Sequence, residues 1–434
     1  MKTKLFLFLL FCLSLSCSKQ KRATVDPAKP ITFECRLEGE VIDRPQSTLL
    51  TLIRAGKDTR VNPFISIPVE DGKFSYTLTA DENEMYELVF EDELKSGSWM
   101  PTYFIAEKGT LHFTLYPMEH RPHSVMQADG ALNKEEIRMQ KEMEKLYPVT
   151  RLEAEIDKLE KEERYYSKEI YDLQKLMEVA ETEEDRGKLC AEYERLRDTG
   201  KEYSEEGLEL NEKYKQYSDD MRQWKLDYIK EKPTINGLCL LKKMFDNAVV
   251  MESYYPGQED ISIYPKLFES TYKQKFAFHP YVKSLERVVA SLNVKVGGSY
   301  IDFTAPDLDG NRITLSEQIK GKVALIDLWA SWCGPCRRSS KSMIPVYEAF
   351  KDNGFVIVGI ARENNNTDAM KQAIKQDKYP WLNLVELNDE GHIWEMYGAG
   401  NSGGCTYLVD LDGKILAIHP TAEEVTKILK EKLL

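Results

Sequence analysis

Val323-Ala-Leu-Ile-Asp327-Leu-Trp329-Ala-Ser-Trp332-Cys333-Gly334-Pro335-Cys336-Arg337 is the stretch on which the fold of this 434-residue chain turns. Its short apolar run reads as a buried strand, and a helical pattern follows the two cysteines. That order puts Cys333 at a strand-to-helix turn, where unpaired backbone N–H groups and the helix dipole favour a thiolate. Cys336 lies one helical turn on, close enough to form a small disulfide. The pair points to dithiol–disulfide exchange, with Cys333 attacking and Cys336 resolving. A single CxxC is also compatible with half of a zinc site or an inert buried pair. No second CxxC follows, however, and the six histidines of the chain form no tidy pair. Asp327 interrupts a strand of Val, Ala, Leu and Ile, so burial is expensive and should raise its pKa.

Trp329-Ala-Ser-Trp332-Cys333-Gly334-Pro335-Cys336-Arg337 resembles the active-site motif of thioredoxin-fold proteins. The wider pattern resembles the membrane-tethered thiol-disulfide oxidoreductases related to TlpA and ResA, lipoprotein type, of Bacteroides-like bacteria. The resemblance covers residues 295–434 and implies an α/β thioredoxin-like domain that reduces or rearranges disulfides outside the cytoplasm. It implies that Asp327 is the general acid/base that takes the Cys336 proton. The TlpA-like group more often has Asn there and a Glu just after the CxxC; the matching position here is Ser339. Trp332, Gly334 and Pro335 are expected to contact substrate. The small, uncharged Gly-Pro pair resembles that of reductants rather than that of strong oxidants. The family also places a cis-proline opposite the disulfide. Counting back from Asp410, that position is Gly404, followed by Cys405. Both are candidates for substrate contact, and Cys405 is either a third redox thiol or an inert buried one. Neither a metal nor an organic cofactor is expected.

Outside this domain the composition changes. Residues 31–125 read as a β-rich, antiparallel domain, with alternating runs such as Ile31-Thr-Phe-Glu-Cys-Arg-Leu37 and Thr110-Leu-His-Phe-Thr-Leu-Tyr116. It resembles the small β-domain that precedes the catalytic domain in such lipoproteins. A spacer or partner-binding role is expected, with Trp99, Tyr103 and Phe104 as either a binding face or ordinary core. Residues 130–292 read as an all-helical arm and connector rich in Glu, Lys, Leu and Tyr, with Pro148 dividing its first helix and Gly200 and Gly207 weakening the next. Its charge is expected to be a solvated helix face, and a contact with a second copy of the chain is the alternative.

The first 17 residues, with Lys2 and Lys4 before an apolar core, resemble a lipoprotein signal peptide ending at a lipidated Cys17. Residues 18–30 would be a tether, which places the protein on a membrane and facing the periplasm. A net charge of −13 offers no basic excess for nucleic acid. The expected partners are disulfide-containing exported proteins and a membrane electron donor. Two rival readings are a binding or assembly lipoprotein with a vestigial redox site, and a thiol peroxidase.

Overall fold

The computed structural model describes residues 32–118, 120, 124–254 and 257–434. The signal peptide, Cys17 and the tether lie outside the described residues.

The amino-terminal part stacks two four-stranded sheets. One runs Lys73–Ala80, Phe33–Val41, Gly109–Leu115, Val125–Ala128; the other runs Ile65–Pro68, Leu49–Arg54, Met85–Phe90, Thr102–Ile105. Alternation along the strands turns Cys35, Leu37, Leu50, Leu52, Leu111 and Phe113 into one shared core. The sheets depart from an all-antiparallel arrangement in one pairing: Phe33–Val41 lies parallel to Gly109–Leu115. The first strand is inserted between the Lys73–Ala80 strand and a strand that arrives much later in the chain, and that long connection makes the parallel direction possible. Phe104 is buried against Tyr86 and Phe113. Tyr103 lies under the Lys243 ammonium, and Trp99 is exposed, so the three aromatics do not form one face.

The helical part begins with Ala131–Leu146 and Val149–Lys161, separated at Pro148. A short hairpin of Lys168–Val179 and Glu183–Asp198 closes on Ile170, Leu173 and Leu196, and the long helix Glu205–Glu231 returns toward the body. The two glycines expected to weaken this region have other roles. Gly200 lies beyond the helix end at φ +71°, and a Cβ on Gly207 would sit 1.8 Å from the Tyr165 carbonyl oxygen. Helices Ile235–Tyr254 and Pro280–Ser291 then pack with Met85 and Ile105 of the β-domain in a second core. The Met85 backbone N–H donates to the Tyr281 hydroxyl at 2.8 Å.

The carboxy-terminal part is a five-stranded sheet in the order Leu382–Leu387, Phe355–Glu363, Val323–Trp329, Cys405–Val409, Ile415–Ile418. The first three strands are parallel and the last two antiparallel. Val323–Trp329 is central and every residue of it is buried, as its apolar run requires. One face packs on helices Gly334–Phe350 and Ala422–Leu433, the other on Leu315–Ile319 and Ile393–Met396. The Gly334–Phe350 helix continues through Pro345.

Glu107 ties the first two parts together. Its buried carboxylate accepts the backbone N–H groups of Leu132 and Asn133 and the Asn133 side-chain amide, all within 3.0 Å. Glu107→Ala leaves the two backbone N–H groups unpartnered at the start of the helix, while the Asn133 amide keeps its bond to the Ile105 carbonyl. The substitution is expected to cost about 2–3 kcal/mol, read as a lower denaturant midpoint with unchanged slope.

Candidate active site

Cys333 is the N-cap residue of the Gly334–Phe350 helix and Pro335 occupies its first turn, where proline's missing N–H costs nothing. Cys333 and Cys336 are disulfide-bonded, with Cα atoms 5.3 Å apart. The Cys336 backbone N–H points at the Cys333 sulfur, 3.2 Å away. Once the pair is reduced, this donor and the helix dipole are already aimed at a Cys333 thiolate. Both cysteines are half-buried, and Gly334 and Pro335 are exposed, so a substrate sulfur can approach from solvent.

Beneath the helix lies Asp327, 2 % exposed, on the same sheet face as Trp329. Burial pushes its pKa up to about 6, against the lowering effect of a hydrogen bond from Ser340. Ser340 Oγ lies 2.6 Å from Asp327 Oδ2 and 3.1 Å from the Cys336 carbonyl oxygen. With a carboxylate, the hydroxyl donates to Asp327. With a carboxylic acid, Asp327 donates to Ser340 and the hydroxyl turns to the Cys336 carbonyl. The network therefore accommodates either protonation state without moving a heavy atom. The one sign of Ser340 in the sequence is its place one turn beyond Cys336, on the helix face that meets the strand.

A second buried carboxylate fixes the turn before the cysteines. Glu363, at the end of the neighbouring strand, accepts the Ser331 backbone N–H at 2.8 Å and its hydroxyl at 2.7 Å. Burial raises the Glu363 pKa. Arg337 is turned aside, its guanidinium bound to Asp377 and Gln376.

Opposite the disulfide runs the loop Gly398-Ala-Gly-Asn-Ser-Gly-Gly404. A Cβ on Gly403 would lie 2.7 Å from the Cys333 sulfur, and one on Gly404 would lie 2.0 Å from the Leu328 carbonyl oxygen. Gly404, the residue expected to face the pair, thus packs on the strand, while its neighbour Gly403 presses bare backbone against the sulfur. Arg362 steadies the loop from beneath, donating to the Gly400 and Ser402 carbonyls at 3.2 and 3.4 Å while paired in bidentate fashion with Asp389. Trp332 is 38 % exposed and carries the Arg60 guanidinium 4.4 Å from its ring centre.

Cys405 is placed elsewhere. It pairs with Leu328 across the sheet and packs in the core on the other face from Asp327 and Cys336. Its sulfur meets His419 Nε2 at 3.1 Å, and burial pushes its pKa up to about 11. Among the described residues, no group of three or more His, Cys, Asp and Glu side chains is arranged to hold a metal ion.

Two family profiles match the chain: the AhpC/TSA family over residues 296–418 and a domain of unknown function (DUF4369) over residues 35–137. Thiol-disulfide oxidoreductase ResA of Bacillus thuringiensis subsp. konkukian is 31 % identical over 144 residues, covering 32 % of this chain and 79 % of the relative. Thiol:disulfide interchange protein DsbE of Allochromatium vinosum is 27 % identical over 116 residues, covering 26 % and 60 %. Among solved structures, the thioredoxin domain of a thiol-disulfide oxidoreductase from Bacteroides vulgatus is 29 % identical. It covers 32 % of this chain and 99 % of that one, with a TM-score of 0.30.

The raised pKa of Asp327 has a stability consequence. Between pH about 4 and 6 the folded protein keeps a proton that an unfolded carboxyl, with pKa near 3.9, has released. Stability from this group therefore falls as pH rises through that window, and above it the buried carboxylate costs roughly 3 kcal/mol. Asp327→Asn is expected to flatten this slope and to be roughly 2–3 kcal/mol more stable than the parent at pH 8, measured by urea unfolding across the pH range.

Proposed function

Since this chain belongs to the ResA-type thiol-disulfide oxidoreductases, we propose that it reduces, or rearranges, the disulfides of exported proteins by dithiol–disulfide exchange. The observation that carries the reading is the Cys333–Cys336 disulfide at a helix N-terminus with the Asp327 carboxyl buried behind it. The reduced protein begins the cycle. The Cys333 thiolate attacks one sulfur of a substrate disulfide; a Cys333–substrate disulfide forms and the other substrate sulfur leaves as a thiolate that takes up a proton. The Cys336 thiol then gives its proton to Asp327, directly or through one water, and attacks Cys333 Sγ. The Cys333–Cys336 disulfide forms, the second substrate thiol is released, and two electrons have passed to the substrate. A dithiol donor at the membrane returns them.

With a pKa of about 6, Asp327 is ionised at neutral pH and able to accept that proton. The partnered pair argues against a peroxidase reading built on a single isolated cysteine. The remaining roles follow from the amino-terminal sequence and its family resemblance: lipidation at Cys17, a membrane anchor and a periplasmic site. No described helix is long and apolar enough to cross a membrane. The helical arm is a surface for self-association.

Two variants test the cycle. Cys336→Ser is expected to accumulate a mixed disulfide between Cys333 and the substrate, visible as a reductant-sensitive adduct. If Cys336→Ser turns over as the parent does, Cys336 is not the resolving thiol. Asp327→Asn is expected to slow release from that adduct by on the order of a hundredfold at pH 7. It should also remove the rise in rate with pH around 6 that the parent shows as the carboxyl ionises. An unchanged pH profile would exclude Asp327 as the base.

A further inference from the structure

The loop opposite the disulfide contains four glycines in seven residues, Gly398 to Gly404, and the position expected to hold a proline is Gly404. Such a chain loses much entropy when ordered and has few side chains with which to hold itself. It is held from outside by two arginines and by the Trp394 indole, whose N–H donates to the Ser402 carbonyl at 3.1 Å. Arg362, from the catalytic sheet, reaches the carbonyls of Gly400 and Ser402. The carbonyl between them, Asn401, accepts a 2.6 Å hydrogen bond from Arg60, which belongs to the β-domain.

Arg60 is itself built in. Asp58, 7 % exposed, grips its guanidinium through Nε and Nη2 at 2.6–3.0 Å. The same carboxylate lies 3.9 Å from Arg362, whose other partner is the buried Asp389. Two guanidiniums and two carboxylates thus form one charge-balanced cluster across the boundary between the β-domain and the catalytic sheet. Asn62, also buried, adds a hydrogen bond from its amide to the Asn388 carbonyl at 3.2 Å. The tight turn from Asp58 to Asn62 is therefore docked on the catalytic domain at two separate loops. The Arg60 guanidinium lies over Trp332, the residue just before Cys333, with its central carbon 4.4 Å from the ring centre, while its Nη2 holds the loop that carries Gly403.

We propose that Arg60 is a positioning residue of the exchange site, supplied by the β-domain, which fixes Trp332 and the glycine loop as the two walls of the groove where a disulfide-bearing peptide meets Cys333. The inference rests on dithiol–disulfide exchange at Cys333 and Cys336. It assigns the β-domain a part in substrate recognition rather than a spacer's role. Arginine suits the position because one planar group both stacks and donates in two directions; lysine offers a single point charge.

The test is steady-state reduction of a synthetic peptide with one intramolecular disulfide, with the full chain as catalyst and dithiothreitol as reductant. Arg60→Ala and Arg60→Lys are each expected to raise KM for the peptide about fivefold, for the lost stacking and charge-assisted hydrogen bond, with kcat changed less than about twofold. The difference in tryptophan emission between each chain and its Trp332→Phe counterpart, which isolates Trp332 among the six tryptophans, should shift in both variants. Arg60 has a half-exposed side chain, and Arg60→Lys keeps its charge and stem, so the measurement stands even if the alanine variant folds poorly. A parental KM in a folded variant, or a loss confined to kcat, overturns the proposal while leaving the exchange reading intact. A parent chain that cannot reduce the peptide overturns both.

Discussion

A carboxyl group inside the central strand sets the terms for the catalytic domain. Val323–Trp329 is covered on both faces, and six of its residues gain from that burial; Asp327 does not. A buried carboxylate without a cation is unfavourable. The fold accommodates it by placing Ser340 at hydrogen-bond distance on the helix that begins at Cys333. The strand, the helix register and the spacing of the two cysteines are therefore coupled. The helix must start at Cys333 for Ser340 to face Asp327, and with that start the Cys336 N–H meets the Cys333 sulfur. The proton acceptor and the thiolate site come from one piece of geometry.

The local part of this arrangement was legible in the sequence. An apolar run, a Gly-Pro turn between cysteines and a helical pattern specify strand, turn and helix within a few residues, and one Asp among aliphatics is conspicuous. What could not be read depends on contacts between distant segments. Glu363 holds Ser331 because two parallel strands end side by side. Cys405 faces away from the pair because its antiparallel register sets it opposite Leu328, whose side chain belongs to the other face. A shift by one residue would have reversed that result, and no local pattern fixes it. Gly403 against the sulfur and Arg60 over Trp332 are likewise products of tertiary docking.

The three parts of the chain are joined by polar links, several of them buried, as well as apolar packing. Glu107 caps the Ala131–Leu146 helix from the β-domain, and Tyr281 on the last connecting helix receives the Met85 N–H. Ser284 and Arg287 on that helix hold Glu395 beside the catalytic sheet. Each link involves groups that would be costly to leave unpartnered, so they set orientation as well as adhesion. The domain of unknown function is in this way tied to the dithiol both directly, through the Asp58–Asn62 turn, and through the connecting helices.

The most direct measurement is the reduction potential of the Cys333–Cys336 couple in the full chain, by equilibration with thiol buffers of defined potential. A reversible two-electron couple near thioredoxin's, roughly −270 mV, is the result expected for a protein that delivers electrons to substrate disulfides. A value near roughly −120 mV would identify a disulfide-forming oxidant and contradict electron flow from Cys333 and Cys336 to the substrate, and the absence of any reversible couple would contradict exchange chemistry altogether.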